Sequence, residues 1–145
     1  MAQNNIPSWY SYLAISNVII AVLVGISSFQ SNTFSSNILV EKNNSILYQN
    51  QANKEWNHYL AGEINNRADK SFQIKAEELE KKVASANKRS DIYFKKTGDL
   101  SLAGTLLEIA IAFSAVSVLV RRQFFWYFAM ALSCVGIYFL AVGLL

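Results

Sequence analysis

Apolar residues are concentrated in three long runs, with polar and charged residues gathered between the first and the second. The runs cover residues 9–29 (WYSYLAISNVIIAVLVGISSF), 100–120 and 124–145. A helix needs about 20 apolar residues to cross the hydrocarbon core of a bilayer. We therefore predict three transmembrane helices. The first run lacks a basic leading region and a small-residue cleavage site, so we do not expect it to be a cleaved signal peptide.

A repeating pattern of apolar and small residues marks the second half of the polar segment. Its positions alternate in spacing between four and three: Phe72, Ala76, Leu79, Val83, Ala86, Ser90, Tyr93 and Thr97. This spacing is typical of helices that pack along one another. The same pattern continues in phase through Leu100, Gly104, Leu107 and Ile111. We therefore predict one long helix that includes the second apolar run.

The first half of the polar segment is rich in asparagine, and its apolar pattern drifts in phase. We interpret one apolar side that consists of Ile38, Leu39, Ile46, Tyr48, Ala52, Trp56, Tyr59, Leu60 and Ile64. This side predicts a helix that continues the first apolar run, followed by a chain reversal near residues 65–71 (NNRADKS).

These elements predict an all-α membrane protein with three transmembrane helices. Residues 1–29 hold the N-terminal transmembrane helix, and residues 100–145 form a transmembrane helical hairpin. Residues 30–99 form a long, coiled-coil-like antiparallel helical hairpin outside the membrane.

Charge supports this division and suggests an orientation. The chain is 52% hydrophobic and 16% charged, with no charged side chain before Glu41 or after Arg122. Arg121 and Arg122 occupy a short turn between the last two apolar runs. We expect both arginines, together with Trp126, to lie at the lipid headgroups. Basic residues favour the cytoplasmic face, so we predict a cytoplasmic N-terminus and a central hairpin on the opposite side.

The basic residues just before the second apolar run, Lys88, Arg89, Lys95 and Lys96, favour the opposite orientation. Long loops influence membrane orientation less than short ones do. The central segment is long, and it carries nine acidic side chains against eleven basic ones. We therefore give the arginine pair the greater weight.

A hairpin of two helices buries little surface, and exposed apolar stripes usually indicate a partner. We expect the partner contacts to be made by Trp56, Tyr59, Phe72, Leu79 and Val83. The partner is either another copy of the chain or a different subunit.

Glu108 is the one acidic residue within the apolar runs. Such residues are costly and usually face the protein interior or water. Helical spacing aligns it with Gly104, Ala112 and Ala115, which predicts a helix-packing face. We expect its carboxyl either to be bound by a hydroxyl of Tyr138, Ser27 or Ser28, or to lie near interfacial water. A hydrogen bond between copies and a proton or cation relay are the alternatives. Asn17 is expected to join helices.

Few residues offer catalytic or metal-binding chemistry. The chain contains one histidine, His58, and one cysteine, Cys134. A metal site needs three or four ligands at compatible spacing, so we expect no metal and no other cofactor. We interpret His58 as an exposed partner of Glu55 or Glu63, and Cys134 as a packing residue. The lysines alternate with acids, so we expect no nucleic-acid binding.

The sequence resembles a bacterial inner-membrane protein family of unknown function, domain-of-unknown-function family 4337. The likeness covers residues 13–145 and rests on two stretches. The first is a W-x-x-Y-x-A-x-x-I motif at Trp56, Tyr59, Ala61 and Ile64; the second is LLEIAIAFSAVSVLVRRQFFWYF at residues 106–128. The resemblance implies location in the bacterial inner membrane with the N-terminus inside, and it implies no activity.

We therefore predict a non-enzymatic scaffold or accessory subunit that assembles through its helical hairpin. Its expected partners are membrane lipids and either copies of itself or a larger membrane complex. The alternative is an oligomeric channel or ion-coupled transporter in which Glu108 faces the pathway.

Overall fold

The computed structural model describes residues 9–64 and 69–145, which form three α-helices. Helix α1 covers Trp9–Ile64, α2 covers Lys70–Val120 and α3 covers Gln123–Leu144. The described residues contain no β-strand, so the all-helical fold class is confirmed. All three helices are long and apolar enough to cross a membrane by length and composition. The predicted continuations are also correct, because α1 and α2 are each uninterrupted. Residues 65–68, in the predicted reversal, lie outside the described part.

The chain divides into two compact units. Within the described residues, the apolar unit contains residues 9–33 and 95–145, and the charged unit contains residues 34–94. Helices α1 and α2 therefore contribute to both units, whereas α3 belongs to the apolar unit alone.

Small residues form the packed faces of the apolar unit. The buried positions of α3 alternate in spacing between four and three, and they are Ala129, Ser133, Gly136, Leu140 and Gly143. The buried positions of α2 in this unit include Leu100, Ala103, Leu107, Ala110, Ser114 and Ser117. Small side chains let helix backbones approach closely, which is typical of helix packing in membranes.

Helices α2 and α3 approach each other closely at two glycines of α3. A Cβ atom added to Gly136 would lie 2.9 Å from Cγ of Leu107. One added to Gly143 would lie 2.8 Å from Cγ of Leu100. Leu100 and Leu107 are fully buried, so both leucines fill the space that the missing side chains leave.

Helix α2 ends in a Schellman turn that leads directly into α3. The N–H of Arg121 donates to the carbonyl of Val118, and the N–H of Arg122 donates to the carbonyl of Ser117, each at 3.3 Å. Arg121 adopts the left-handed conformation that this motif requires, with φ of 52°. The Ser117 hydroxyl also donates to the carbonyl of Arg122 at 2.8 Å. The predicted short turn at the arginine pair is thus confirmed.

In the charged unit, residues 34–64 of α1 pack against residues 70–94 of α2 in reverse order. The ring centroids of Phe34 and Tyr93 lie 5.8 Å apart. At the other end of the segment, the ring centroids of His58 and Phe72 lie 5.5 Å apart. Every position of the predicted packing pattern on α2, from Phe72 to Ile111, is buried or half-buried. That pattern therefore marks the packed face of α2.

The α1 half of the charged unit differs from the single apolar side that we predicted. Tyr48, Ala52 and Tyr59 are buried or half-buried. Leu39 and Ile46, which we assigned to the same side, are exposed. The drifting phase arises because two faces of the helix interleave in the sequence, one inward and one outward.

Asp69 caps the start of α2. Its side-chain oxygen accepts the backbone N–H of Ser71 at 2.9 Å, the N-cap arrangement that satisfies an otherwise unpaired donor. This hydrogen bond lowers the pKa of Asp69 from its usual value. The cap fixes the direction in which α2 leaves the predicted chain reversal.

Candidate functional site

The most distinctive surface of the charged unit is an exposed stripe along α1, here called the outer stripe. Its positions alternate in spacing between four and three: Leu39, Asn43, Ile46, Asn50, Asn53, Asn57, Leu60 and Ile64. All eight are exposed. The four apolar members are exposed by 66%, 59%, 49% and 84% in chain order. The stripe thus has the spacing of a helix-packing face but is left exposed by the described chain, in which Asn53 only accepts a hydrogen bond from Gln49 on the same helix.

Two further apolar side chains widen the outer stripe on one flank. Val40 is 55% exposed and Leu47 is 51% exposed. Each follows an apolar stripe residue directly in the sequence. Contiguous apolar surface of this kind indicates an interaction site more strongly than scattered exposed residues do.

Polar contacts hold the opposite face of α1 against α2. The guanidinium of Arg89 donates to both carboxylate oxygens of Glu41, at 2.8 and 3.0 Å. Such paired geometry is specific to arginine. Hydrogen bonding to Glu41 raises the pKa of Arg89. Lys75 and Glu55 form a second ion pair at 2.8 Å between Nζ and Oε1. These pairs orient α1 so that the outer stripe faces away from α2.

The five residues that we predicted to bind a partner differ in how exposed they are. Leu79 is only 8% exposed, so it packs within the chain and is not available to a partner. Trp56, Tyr59, Phe72 and Val83 are half-buried. The Trp56 indole N–H donates to Oε1 of Glu80 at 2.8 Å, which ties Trp56 to α2. These residues hold the charged unit together, and the outer stripe offers the larger free apolar surface.

His58 does not form the predicted pair with Glu55. Its ring stacks on Phe72, while Glu55 binds Lys75. Within residues 9–64 and 69–145, no group of three or more His, Cys, Asp or Glu side chains is arranged to hold a metal ion. Cys134 is exposed, so its interpretation as a packing residue was wrong.

Glu108 lies on the outward face of α2, which corrects the predicted packing face. Gly104 is buried beside Ser27, but Glu108, Ala112 and Ala115 are all exposed. Four residues advance a helix about 40° past a full turn. That rotation carries Glu108 off the face that Gly104 shares with Leu107.

None of the three predicted hydroxyls, on Tyr138, Ser27 or Ser28, hydrogen-bonds to Glu108 in the described part of the chain. Ser27 donates its hydroxyl to the carbonyl of Leu100. Tyr138 is 64% exposed. Within the described part of the chain, nothing hydrogen-bonds to the Glu108 carboxyl. The outward carboxyl of Glu108 is therefore without a partner among residues 9–64 and 69–145.

Asn17 joins α1 to α2 in the apolar unit. Its side-chain oxygen accepts a hydrogen bond of 2.6 Å from the Ser114 hydroxyl. The Trp126 indole N–H donates to the Ser16 hydroxyl at 3.3 Å, so the ring is half-buried against α1. Both contacts place the beginning of α1 beside the turn between α2 and α3. Arg121 and Arg122 are exposed in that turn.

Comparison with known proteins yields one match. No curated protein and no solved structure matches the chain. The matching family covers residues 63–145, which include all of α2 and α3, with Glu108, Arg121 and Arg122. The W-x-x-Y motif at Trp56 lies before the matched range, so that part of the expected likeness is not included. The chain belongs to the family described as a domain of unknown function (DUF4337).

Proposed function

We propose that this protein is a non-enzymatic membrane scaffold or accessory subunit that assembles through the outer stripe of α1. The observation that supports this most strongly is the exposure of Leu39, Ile46, Leu60 and Ile64 at heptad spacing. Burial of apolar area is the main driving force of protein association. A second helix that packs along this face would remove these four side chains from water.

In this proposal, the three apolar helical segments lie in the bacterial inner membrane, and the charged unit lies outside it. The N-terminus and the arginine turn are cytoplasmic. Two observations support this orientation: Trp126 contacts Ser16 at one end of the apolar unit, and Arg121 and Arg122 are exposed at that end. Basic residues in a short turn favour the cytoplasmic side. The charged unit is then periplasmic.

Co-isolation of two differently tagged copies tests this function. Both copies are expressed together, the membrane is extracted in mild detergent, and one tag is captured. We expect the second tag, or another membrane protein in fixed ratio, to be retained. Copies that are mixed only after separate extraction control for aggregation. Capture of the first tag alone would contradict the proposal.

A second candidate function is ion movement through an oligomer in which Glu108 faces the pathway. The observation that favours it is the exposed Glu108 carboxyl on an apolar helix, without a partner in the described chain. Ionisable groups in membrane helices usually face a bundle interior or a water-filled cavity. Neighbouring copies could provide such an environment.

For this candidate, we expect liposomes that contain the protein to conduct protons or monovalent cations, and Glu108→Gln to abolish the flux. Glutamine keeps the size of the side chain but removes its charge and its ability to carry a proton. Glu63→Gln provides a matched control, because Glu63 is exposed in the charged unit. Equal flux from wild type and Glu108→Gln would eliminate the candidate.

A further inference from the structure

The outer stripe contains a regular ladder of asparagines. In heptad terms, Leu39, Ile46, Asn53 and Leu60 occupy one core position, called d. The other core position, called a, is occupied by Asn43, Asn50, Asn57 and Ile64. Three successive a positions are therefore asparagine. A solvated helix face would not need this spacing, nor the apolar residues that alternate with it.

The side-chain amides of the three asparagines at a positions are available for hydrogen bonds to a partner. Asn43, Asn50 and Asn57 are exposed, and no side-chain hydrogen bond joins them to another residue in the described chain. An asparagine amide carries both donors and an acceptor. It can therefore pair with the same amide on an identical helix. Buried asparagine at an a position fixes the register of paired helices and lowers their stability.

Charge permits pairing of identical stripes. None of the eight outer-stripe residues is ionisable, so two copies of the stripe meet without like-charge repulsion along their seam. A different protein would need asparagines at three successive heptads in the same register. A second copy of this chain provides them without any further requirement.

The direction of α1 gives a geometric reason to expect parallel pairing of two copies. α1 is one continuous helix that begins in an apolar segment long enough to cross a membrane. Copies that insert with the same orientation have parallel α1 helices that start at the same depth. Equal depth places Asn43, Asn50 and Asn57 of one copy beside the same residues of the next.

We propose that the outer stripe binds the outer stripe of a second copy as a parallel, in-register helix pair, with Asn43, Asn50 and Asn57 setting the register. This inference rests on the proposed assembly function, and it names the partner and its orientation. The apolar members of the stripe provide the buried area. The asparagines exclude parallel alignments shifted by a heptad, because such alignments leave amides unpaired in the interface. Insertion of all copies in one orientation excludes the antiparallel alignment.

Site-specific disulfide cross-linking in intact membranes tests this arrangement. The full-length chain with Cys134→Ser carries one new cysteine at a time: Asn43→Cys, Asn50→Cys or Asn57→Cys. Gln51→Cys is the matched control, because Gln51 is exposed but lies about 100° around the helix from Asn50. A disulfide requires Cα atoms about 4.4–6.8 Å apart.

We expect covalent dimers from all three stripe variants and none above background from Gln51→Cys. Dimers from Asn50→Cys alone, with a cross-link between co-expressed Asn43→Cys and Asn57→Cys chains, would mean antiparallel pairing and overturn the inference. Absence of stripe cross-links while tagged copies still co-isolate would also overturn it, yet leave the assembly function standing. Absence of cross-linking together with capture of the first tag alone would remove both the inference and the assembly function.

A second variant measures what the asparagines contribute. Replacing Asn43, Asn50 and Asn57 together by leucine keeps an apolar seam but removes the paired amides. We expect the complex to persist and to lose its single stoichiometry, as seen by native mass measurement in detergent. A complex with unchanged, single stoichiometry would overturn the assigned role of the ladder.

Discussion

Replacement of Ile46 and Leu60 by aspartate will abolish assembly of the protein while leaving its helices intact. Both side chains are about half exposed in the single chain, so the chain itself loses little packing. In an assembled pair they would be buried, and an unpaired carboxylate in an apolar interface is strongly unfavourable. We expect co-isolation of tagged Ile46→Asp/Leu60→Asp copies to fall to background.

Two comparisons distinguish a lost interface from a lost fold. Gln51→Asp adds a charge to the same helix away from the outer stripe, and it should leave co-isolation unchanged. Leu79→Asp places a charge at a position that is only 8% exposed within the charged unit, so it should reduce helix content directly. Helical circular dichroism of Ile46→Asp/Leu60→Asp should match wild type. Full co-isolation of that variant would show that assembly uses another surface.

Replacement of Gly136 by leucine will separate α3 from α2 and lower the thermal stability of the detergent-solubilised protein. Even a single Cβ at Gly136 would lie 2.9 Å from Cγ of Leu107, which is itself fully buried. Extra methylene groups in a well-packed core typically destabilise by about 1–3 kcal/mol, occasionally more. Leucine adds a whole side chain, so we expect the upper end of this range.

The matched control for this prediction is the neighbouring Val135→Leu. Val135 is 46% exposed, so a larger side chain at this position can extend toward the surface. Thermal unfolding followed by circular dichroism should give a lower Tm for Gly136→Leu and an unchanged Tm for Val135→Leu. Equal Tm values for the two variants would contradict the close α2–α3 approach.

The packed face of α2 could be predicted from the sequence because one pattern dominates it. From Phe72 to Ile111 the alternating spacing of four and three is not interrupted, and the structure buries or half-buries every position. The arginine turn was equally predictable, since charge interrupts two apolar runs at Arg121 and Arg122. Both features can be predicted from the sequence without knowing which helix packs against them.

The outer stripe was not predicted, because α1 carries two heptad faces that interleave. Leu39 and Ile46 were assigned to the same side as Ala52, although the structure places them on opposite faces. The signal was present in the asparagines at Asn43, Asn50 and Asn57, which recur every seven residues. Because asparagine is polar, these positions were not counted as part of a packing face, and the second heptad pattern on α1 was missed.

The orientation of Glu108 could not be predicted from the spacing of residues along α2 alone. Helical spacing places Glu108 about 40° from Gly104 and about 100° from Leu107. Leu107 fills the space beside Gly136 and fixes the rotation of α2, so Glu108 faces outward. The glycine on α3 that admits Leu107 is far away in the sequence, and the tertiary packing therefore decides the position of the carboxyl.

The mass of the intact complex, extracted from its native membrane in mild detergent, tests the central claim most directly. The assembly account predicts a native mass of two or more whole multiples of 16.3 kDa, with this chain as the only protein component. A complex that holds a second protein would favour the accessory-subunit form of the proposal over self-pairing. A single species of 16.3 kDa under conditions that preserve other membrane complexes would contradict assembly altogether.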